Sequence, residues 1–235
     1  MAVILENKKI AEQIYLLRVK GIAPAPRAGQ FYMLRQEGID TPFLGRPISV
    51  FDCANGEVAF QYQCVGQGTR LFATLLPGQT ILAQGPYGNG FPLEKGDAVL
   101  LGGGMGTAPL YYLAKSLRES DPNAKITAHL GFRFEPVLLG LFRAVCDNVT
   151  CNIGGFVTDD VDFTQSATYY ACGPEPMLKA AYRRAEGAKL YVSLEKHMAC
   201  GVGACLGCTC KTSKGNRRVC KDGPVFLAEE VFGDE

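Results

Sequence analysis

Cys200, Cys205 and Cys208 are separated by four and then two residues in the run Glu195-Lys-His-Met-Ala-Cys-Gly-Val-Gly-Ala-Cys-Leu-Gly-Cys-Thr-Cys210, and Cys220 follows a basic stretch. Thiolates at this C-x4-C-x2-C…C spacing are the ligand set of plant-type [2Fe–2S] centres. Three ligands in one short loop must all turn inward, so the backbone needs residues that tolerate left-handed turns and close approach. Gly201, Gly203 and Gly207 meet that need. From Lys196 to Lys221 there are six Lys or Arg residues and no Asp or Glu, a balance that suits an anionic cluster. Two other chemistries compete. Structural zinc usually pairs its ligands through two short knuckles, whereas Cys220 stands alone. Disulfides would have to form in a glycine-rich turn where Cys208 and Cys210 are crowded. Cys210 is a fifth candidate ligand.

Three further stretches carry chemistry. Ala98-Val-Leu-Leu101 reads as a buried strand and runs into Gly102-Gly-Gly-Met-Gly-Thr-Ala-Pro109 before a helix. Glycines between a strand and a helix leave backbone N–H groups free at a helix N-terminus, where a pyrophosphate is stabilised. The strict G-x-G-x-x-G pattern fails, because Thr107 stands where it requires glycine; a plain strand-to-helix turn is the competing reading. Arg46-Pro-Ile-Ser49 offers a guanidinium for phosphate and a hydroxyl for a ring edge, and Gly66-Gln-Gly68-Thr69 opens a helix with Thr69 expected as its N-cap. Cys172-Gly-Pro-Glu-Pro-Met177 ends a strand at the sheet edge where open α/β folds bind ligands. The Cys172 thiol there either packs on a nicotinamide ring or serves as a small buried hydrophobe.

These stretches need a scaffold, and the patterning supplies one. The chain has 235 residues, 47% of them hydrophobic, enough for two domains and an appendage. Short strands are expected at residues 3–5, 14–19, 31–34, 48–51, 58–64 and 80–83, several alternating apolar with polar, which makes a small antiparallel β-barrel. From Asp97 strands alternate with helices: strands at 98–101, 125–132, 168–172 and 190–194, helices ending near Ser120 and over 137–145 and 176–186. That order implies parallel βαβ units. The expected division is 1–95 barrel, 96–190 α/β nucleotide domain and 191–235 cysteine-rich iron–sulfur domain. A net charge of +1 argues against nucleic-acid binding. No apolar run approaches the roughly 20 residues of a membrane span, and ten cysteines with no signal peptide favour a reducing, cytoplasmic location. His129 and His197 are expected to be structural.

Arg46-Pro-Ile-Ser49, Gly66-Gln-Gly68-Thr69, the glycine turn and Cys172-Gly-Pro, in that order, resemble the ferredoxin-reductase flavoprotein family. With the terminal cysteines added, the chain resembles the electron-transfer subunits of class 1B dihydroorotate dehydrogenases. Gly85-Pro-Tyr-Gly-Asn-Gly-Phe91, Gly155-Phe-Val-Thr-Asp159 and Val219-Cys-Lys-Asp-Gly-Pro-Val-Phe226 agree with it. The resemblance implies that Arg46, Pro47, Ile48, Ser49, Gln61, Tyr62, Gln63, Gly68 and Thr69 hold FAD. It implies a [2Fe–2S] cluster on Cys200, Cys205, Cys208 and Cys220, and an NAD site at Gly102, Gly103, Gly104, Gly106, Thr107 and Cys172. NAD rather than NADP follows from the resemblance, since Arg133 could meet a 2′-phosphate or stack on adenine. The implied partner is an FMN-containing catalytic subunit, in a heterotetramer of two copies of each. The alternatives are a subunit of another flavin and iron–sulfur reductase, or a zinc-bearing interaction module without redox activity.

Overall fold

The computed structural model describes residues 1–38 and 42–233. Strands β1 (Ala2–Ala11), β2 (Ile14–Lys20), β3 (Phe31–Gln36), β4 (Arg46–Ala54), β5 (Glu57–Gln63) and β6 (Thr80–Tyr87) close into a six-stranded antiparallel barrel of order β1-β2-β5-β4-β3-β6. Period-2 alternation explains its interior: Leu17 and Val19, Tyr32 and Leu34, and Val58, Phe60 and Tyr62 fill the centre with Ile4, Val50 and Ile81. The β4–β5 turn is Asn55-Gly56, with φ of 54° and 76°, the pair that a tight hairpin selects.

Helix α1 (Gln67–Phe72) plugs one end of the barrel, where Phe72 meets Tyr62 edge to face at 6.0 Å. Asn7 locks it in place. Its Nδ2 donates to the carbonyls of Phe72 (2.7 Å) and Leu75 (2.9 Å), and its Oδ1 accepts from the Tyr62 hydroxyl at 3.1 Å.

The second sheet begins with β7 (Ala98–Gly103), buried along its whole length. A 3-10 turn (Gly104–Gly106), helix α2 (Thr107–Ser120), β8 (Ile126–Phe132), helix α3 (Leu139–Val145), β9 (Asn148–Ile153), β10 (Thr168–Cys172), helix α4 (Glu175–Arg184) and β11 (Leu190–Ser193) follow. Strand order is β9-β8-β7-β10-β11, all parallel, so the chain reverses direction of winding between β7 and β10. Strand β9 is not among the expected elements. The last strand, β14 (Val225–Leu227), pairs antiparallel with β11 and completes the sheet from the far side of the cysteine run. Between them lie the cysteine loop and a hairpin of β12 (Thr209–Thr212) and β13 (Gly215–Arg218); helix α5 (Ala228–Phe232) follows.

Barrel and sheet meet along α2. Phe51 stacks on Tyr111 at 4.8 Å, the Tyr112 hydroxyl donates to Pro26 O at 2.9 Å, and Lys115 pairs with Asp52 at 2.5 Å. His129 is buried and shares a 2.8 Å hydrogen bond with Thr150, and burial holds its imidazole below the usual value. Among the described residues no helix is long and apolar enough to cross a membrane.

Asn7 joins the carbonyl that ends α1, a second one in the turn after it, and a buried phenol. Asn7→Ala should therefore cost about 2–3 kcal/mol of barrel stability, read as a lower urea midpoint with unchanged m-value.

Candidate functional site

The neighbouring strands β7 and β10 bring two of the sequence motifs together, with Cys172 in register with Gly102. The glycines of the turn divide their work. A Cβ on Gly106 would stand 2.2 Å from the Cys172 carbonyl oxygen and 2.5 Å from Gly173 N, so this glycine lets α2 close onto the end of β10. Gly102 and Gly103 are similarly hemmed in, by Thr107 at 2.9 Å and by Met177 at 2.6 Å. Gly104 differs: its φ is 55° and nothing lies within 4 Å of where a Cβ would be. The turn thus has three packing glycines and one open, left-handed position facing the cleft, with the Thr107 hydroxyl bound to the Gly104 carbonyl at 2.9 Å.

Cys172 is 2% exposed. Burial, then the nearby Glu195 carboxylate, push its thiol well above the usual range, against a hydrogen bond from Ser193. It is a neutral thiol, an apolar surface rather than a nucleophile. Ser193 carries no motif of its own in the sequence; the pairing of β11 with β10 sets it in register with Cys172, and Glu195 follows as the chain leaves the strand.

On the barrel side, Arg46 lies across the first turn of α1, where a Cβ on Gly68 would fall 2.5 Å from its Nε. Thr69 is not the N-cap. The helix begins earlier, at Gln67 with Gly66 as cap, and Thr69 in its third position accepts from the Val65 and Gly66 amides at 3.0 and 3.1 Å. Pro47, Ile48 and Ser49 line β4 opposite Met33, Tyr32 and Phe31. Gln61 is 4% exposed and its amide contacts Met105 Sδ at 3.9 Å, which joins β5 to the glycine turn. Gln63 is exposed beside it. Tyr62 points the other way, into the barrel core, so that only its backbone faces the Gln61 side.

The cysteine loop is organised in pairs. The amides of Val202 (3.4 Å) and Cys205 (3.5 Å) donate to Cys200 Sγ, and the Cys220 amide donates to Cys208 Sγ at 3.4 Å. Donation first from Cys205 and then Val202 pulls the Cys200 thiol down to about 6, whereas burial and the adjoining Cys208 push Cys220 up to about 12. Amide donors aimed at sulfur are what a negatively charged thiolate set requires. Among the described residues no three His, Cys, Asp or Glu side chains converge as a single-ion site demands; amide donors link Cys205 to Cys200 and Cys220 to Cys208 instead. Cys210 lies on β12 rather than in the loop, and burial raises its thiol.

The basic shell is mostly neutralised by acids outside the basic window. Lys196 pairs with Glu175 (2.9 Å), Lys214 and Arg217 with Glu230 (3.1 and 3.8 Å), and Arg218 with Asp222 in a fork of 3.0 and 3.1 Å. Lys211 and Lys221 are left exposed, alongside Val202 at 48% and Leu206 at 61% exposure. Leu206 holds a φ of 60°, a strained setting for a bulky side chain.

A closed antiparallel barrel joined to a doubly wound sheet, with a glycine turn at the switch point and a cysteine loop between the two, defines a ferredoxin-reductase-like electron-transfer protein. A family model described as the iron–sulfur cluster binding domain of dihydroorotate dehydrogenase B matches residues 195–232. The electron transfer subunit of dihydroorotate dehydrogenase B (NAD(+)) from Clostridium perfringens is 44% identical over 96% of this chain and 95% of its own. The same subunit from Fusobacterium nucleatum is 37% identical over 96% and 95%. The chain belongs to the family of dihydroorotate dehydrogenase B electron transfer subunits. Among solved structures, an NADH-dependent reduced ferredoxin-NADP oxidoreductase superposes with a TM-score of 0.87, 30% identity, and coverage of 98% of this chain and 89% of that one. A ferredoxin NADP+ reductase from Neisseria gonorrhoeae with bound FAD and NADP shares the fold at TM-score 0.62 and 18% identity, over 78% and 88% of the two chains.

The close fit at Gly106 gives a direct test. Gly106→Ala should destabilise the protein by about 1–3 kcal/mol through overpacking, whereas Gly140→Ala in the open flank of α3 should stabilise it by up to about 1 kcal/mol; paired thermal melts report both.

Proposed function

We propose that the chain is the electron-transfer half of an NAD-dependent dihydroorotate dehydrogenase, working beside an FMN-containing catalytic subunit in a cytoplasmic heterotetramer of two copies of each. Electron traffic would run from that partner through a [2Fe–2S] cluster and FAD to NAD+, the flavin converting one-electron to two-electron exchange. The observation that carries this reading is the pairing of Cys205 with Cys200 and of Cys220 with Cys208 through amide-to-sulfur hydrogen bonds, the second pair buried in a core shared with the barrel. A cluster of two irons takes two thiolates at each metal, and a single zinc ion takes four at one point.

The residues divide into three sets. Cys200 and Cys205 would hold one iron, and Cys208 and Cys220 the other, with Cys210 outside the set. Arg46, Pro47, Ile48, Ser49, Gln61, Gln63, Gly68, Thr69 and the backbone of Tyr62 would hold FAD, the Arg46 guanidinium meeting its phosphates. Gly102, Gly103, Gly104, Gly106, Thr107 and Cys172 would form the NAD site: the packed glycines bring α2 close, and open Gly104 leaves room for a pyrophosphate. The segments 1–95, 96–190 and 191–235 would then correspond to the FAD, NAD and cluster sites. No side chain need act as acid or base, since the residues place and insulate the redox groups.

A second reading has one specific support, the likeness to the NADH-dependent reduced ferredoxin-NADP oxidoreductase: the chain would then serve a different flavin and iron–sulfur complex. Co-purification with an FMN subunit and orotate-dependent NADH oxidation separate the two.

The absorption spectrum of the purified protein, with iron and acid-labile sulfide analysis, should show flavin and cluster bands that bleach on NADH addition; a colourless, zinc-containing protein would refute the circuit. Cys172→Ala should slow flavin reduction by NADH in stopped flow and leave cluster content unchanged. The exposed apolar rim of the loop is the proposed docking face, because Arg217 and Arg218 are already committed to Glu230 and Asp222. Val202→Asp should weaken binding of the FMN subunit roughly tenfold without loss of cluster absorbance.

A further inference from the structure

We infer that Met33 is the positioning residue that fixes the separation between the flavin-binding strand and the cluster loop. This rests on the proposed FAD and cluster sites. Met33 is 3% exposed and lies on β3 directly opposite Pro47 of the Arg46–Ser49 stretch. Its other side faces the cysteine loop: a Cβ on Gly201 would fall 2.7 Å from Met33 Cγ, 3.1 Å from its Sδ and 3.3 Å from Tyr87 Cδ2. A Cβ on Gly45 would stand 3.2 Å from Met33 Cβ. The side chain is thus packed between two glycine backbones, one of them next to Cys200, and neither can come closer without displacing it. Gly201 has a φ of 71°, so its backbone turns at the point of contact.

The rest of the contact is apolar and continuous. Phe31, Met33, Cys208, Val219 and Cys220 share one core, and Phe31 meets Tyr87 edge to face at 6.0 Å. Methionine fits such a place because an unbranched thioether fills an irregular gap that a branched chain would not. The step it serves moves one electron and breaks no bond. As the flavin is oxidised by one electron, one ferric ion of the cluster becomes ferrous, with NADH supplying the electrons; in the other direction the FMN partner supplies them. The rate of such a step depends on the separation of donor and acceptor, and Met33 holds that separation without touching the nicotinamide site.

The test uses the full chain purified with its cofactors. Met33→Ala leaves a cavity against Gly201. Flavin, iron and sulfide content and the NADH-driven bleaching of flavin should match the wild type, cluster bleaching should slow by roughly tenfold, and amide hydrogen exchange over residues 200–205 should quicken. Met33→Leu, which nearly conserves volume, should restore both the rate and the protection. Wild-type cluster bleaching in Met33→Ala, or a Met33→Leu protein as slow as Met33→Ala, overturns the inference. Should Met33→Ala lose its cluster, Met33→Val takes its place: slowed cluster bleaching with quickened exchange supports the inference, and wild-type bleaching overturns it. A wild-type protein that binds no flavin or iron refutes the proposed function instead, and unchanged exchange over residues 200–205 in Met33→Ala then refutes the Met33 contact by itself.

Discussion

Phe31 and Met33 from the barrel, Cys208, Val219 and Cys220 from the cysteine segment, and Leu101, Val192 and Phe226 from the sheet are buried in a single apolar seam on which the rest of the molecule depends. Each of its Phe, Met, Leu and Val side chains contributes about 1.5–3 kcal/mol on burial, against about 0–1 kcal/mol for each of the exposed ion pairs around it. The cysteine segment is therefore held by burial, and its charges tune rather than fasten it. Asn89 adds a polar clasp to the seam: its amide reaches Val225 O at 2.8 Å, its carbonyl accepts from Val225 N at 3.2 Å, and its own backbone N–H meets Gly223 O at 2.7 Å.

Contacts beside the seam bring the sequence motifs close to one another. The barrel's β5 touches the glycine turn through Gln61 and Met105, the turn touches the end of β10 through Gly106, and the Glu195 strand exit leads from there into the first cysteine. Lys196 and Glu175 tie that exit to the start of α4.

Much of this was legible in the sequence, and the failures have physical reasons. Alternation of large side chains with small or polar ones in Val58-Ala-Phe-Gln-Tyr62 marks a barrel strand because Val58, Phe60 and Tyr62 fill the interior while Ala59 and Gln61 face outward. The cysteine spacing is legible because ligand geometry is local. Strand β9, Asn-Val-Thr-Cys-Asn-Ile, sits half exposed at a sheet edge and carries too little apolar signal. The β12–β13 hairpin is polar throughout, and strand pairing rather than sequence pattern defines it. Thr69 misleads because a threonine three residues into a short helix has the same neighbours as one that caps it. The basic window from Lys196 to Lys221 reads as an unbalanced positive shell; of its acids, Asp222 and Glu230 follow it in sequence, Glu175 comes from the start of α4, and all three lie beside it in space. Met33 gives no signal at all, since a methionine on a barrel strand is indistinguishable from core until its neighbour proves to be Gly201.

Strand β14 imposes an order on biosynthesis. The six-stranded sheet is complete only when its antiparallel strand Val225–Leu227 has left the ribosome, after every cysteine of the loop has emerged. Until then β11 is a bare edge, open to pairing with another chain. Chains truncated within the cysteine segment consequently carry an unfinished sheet whose β11 edge is unpaired.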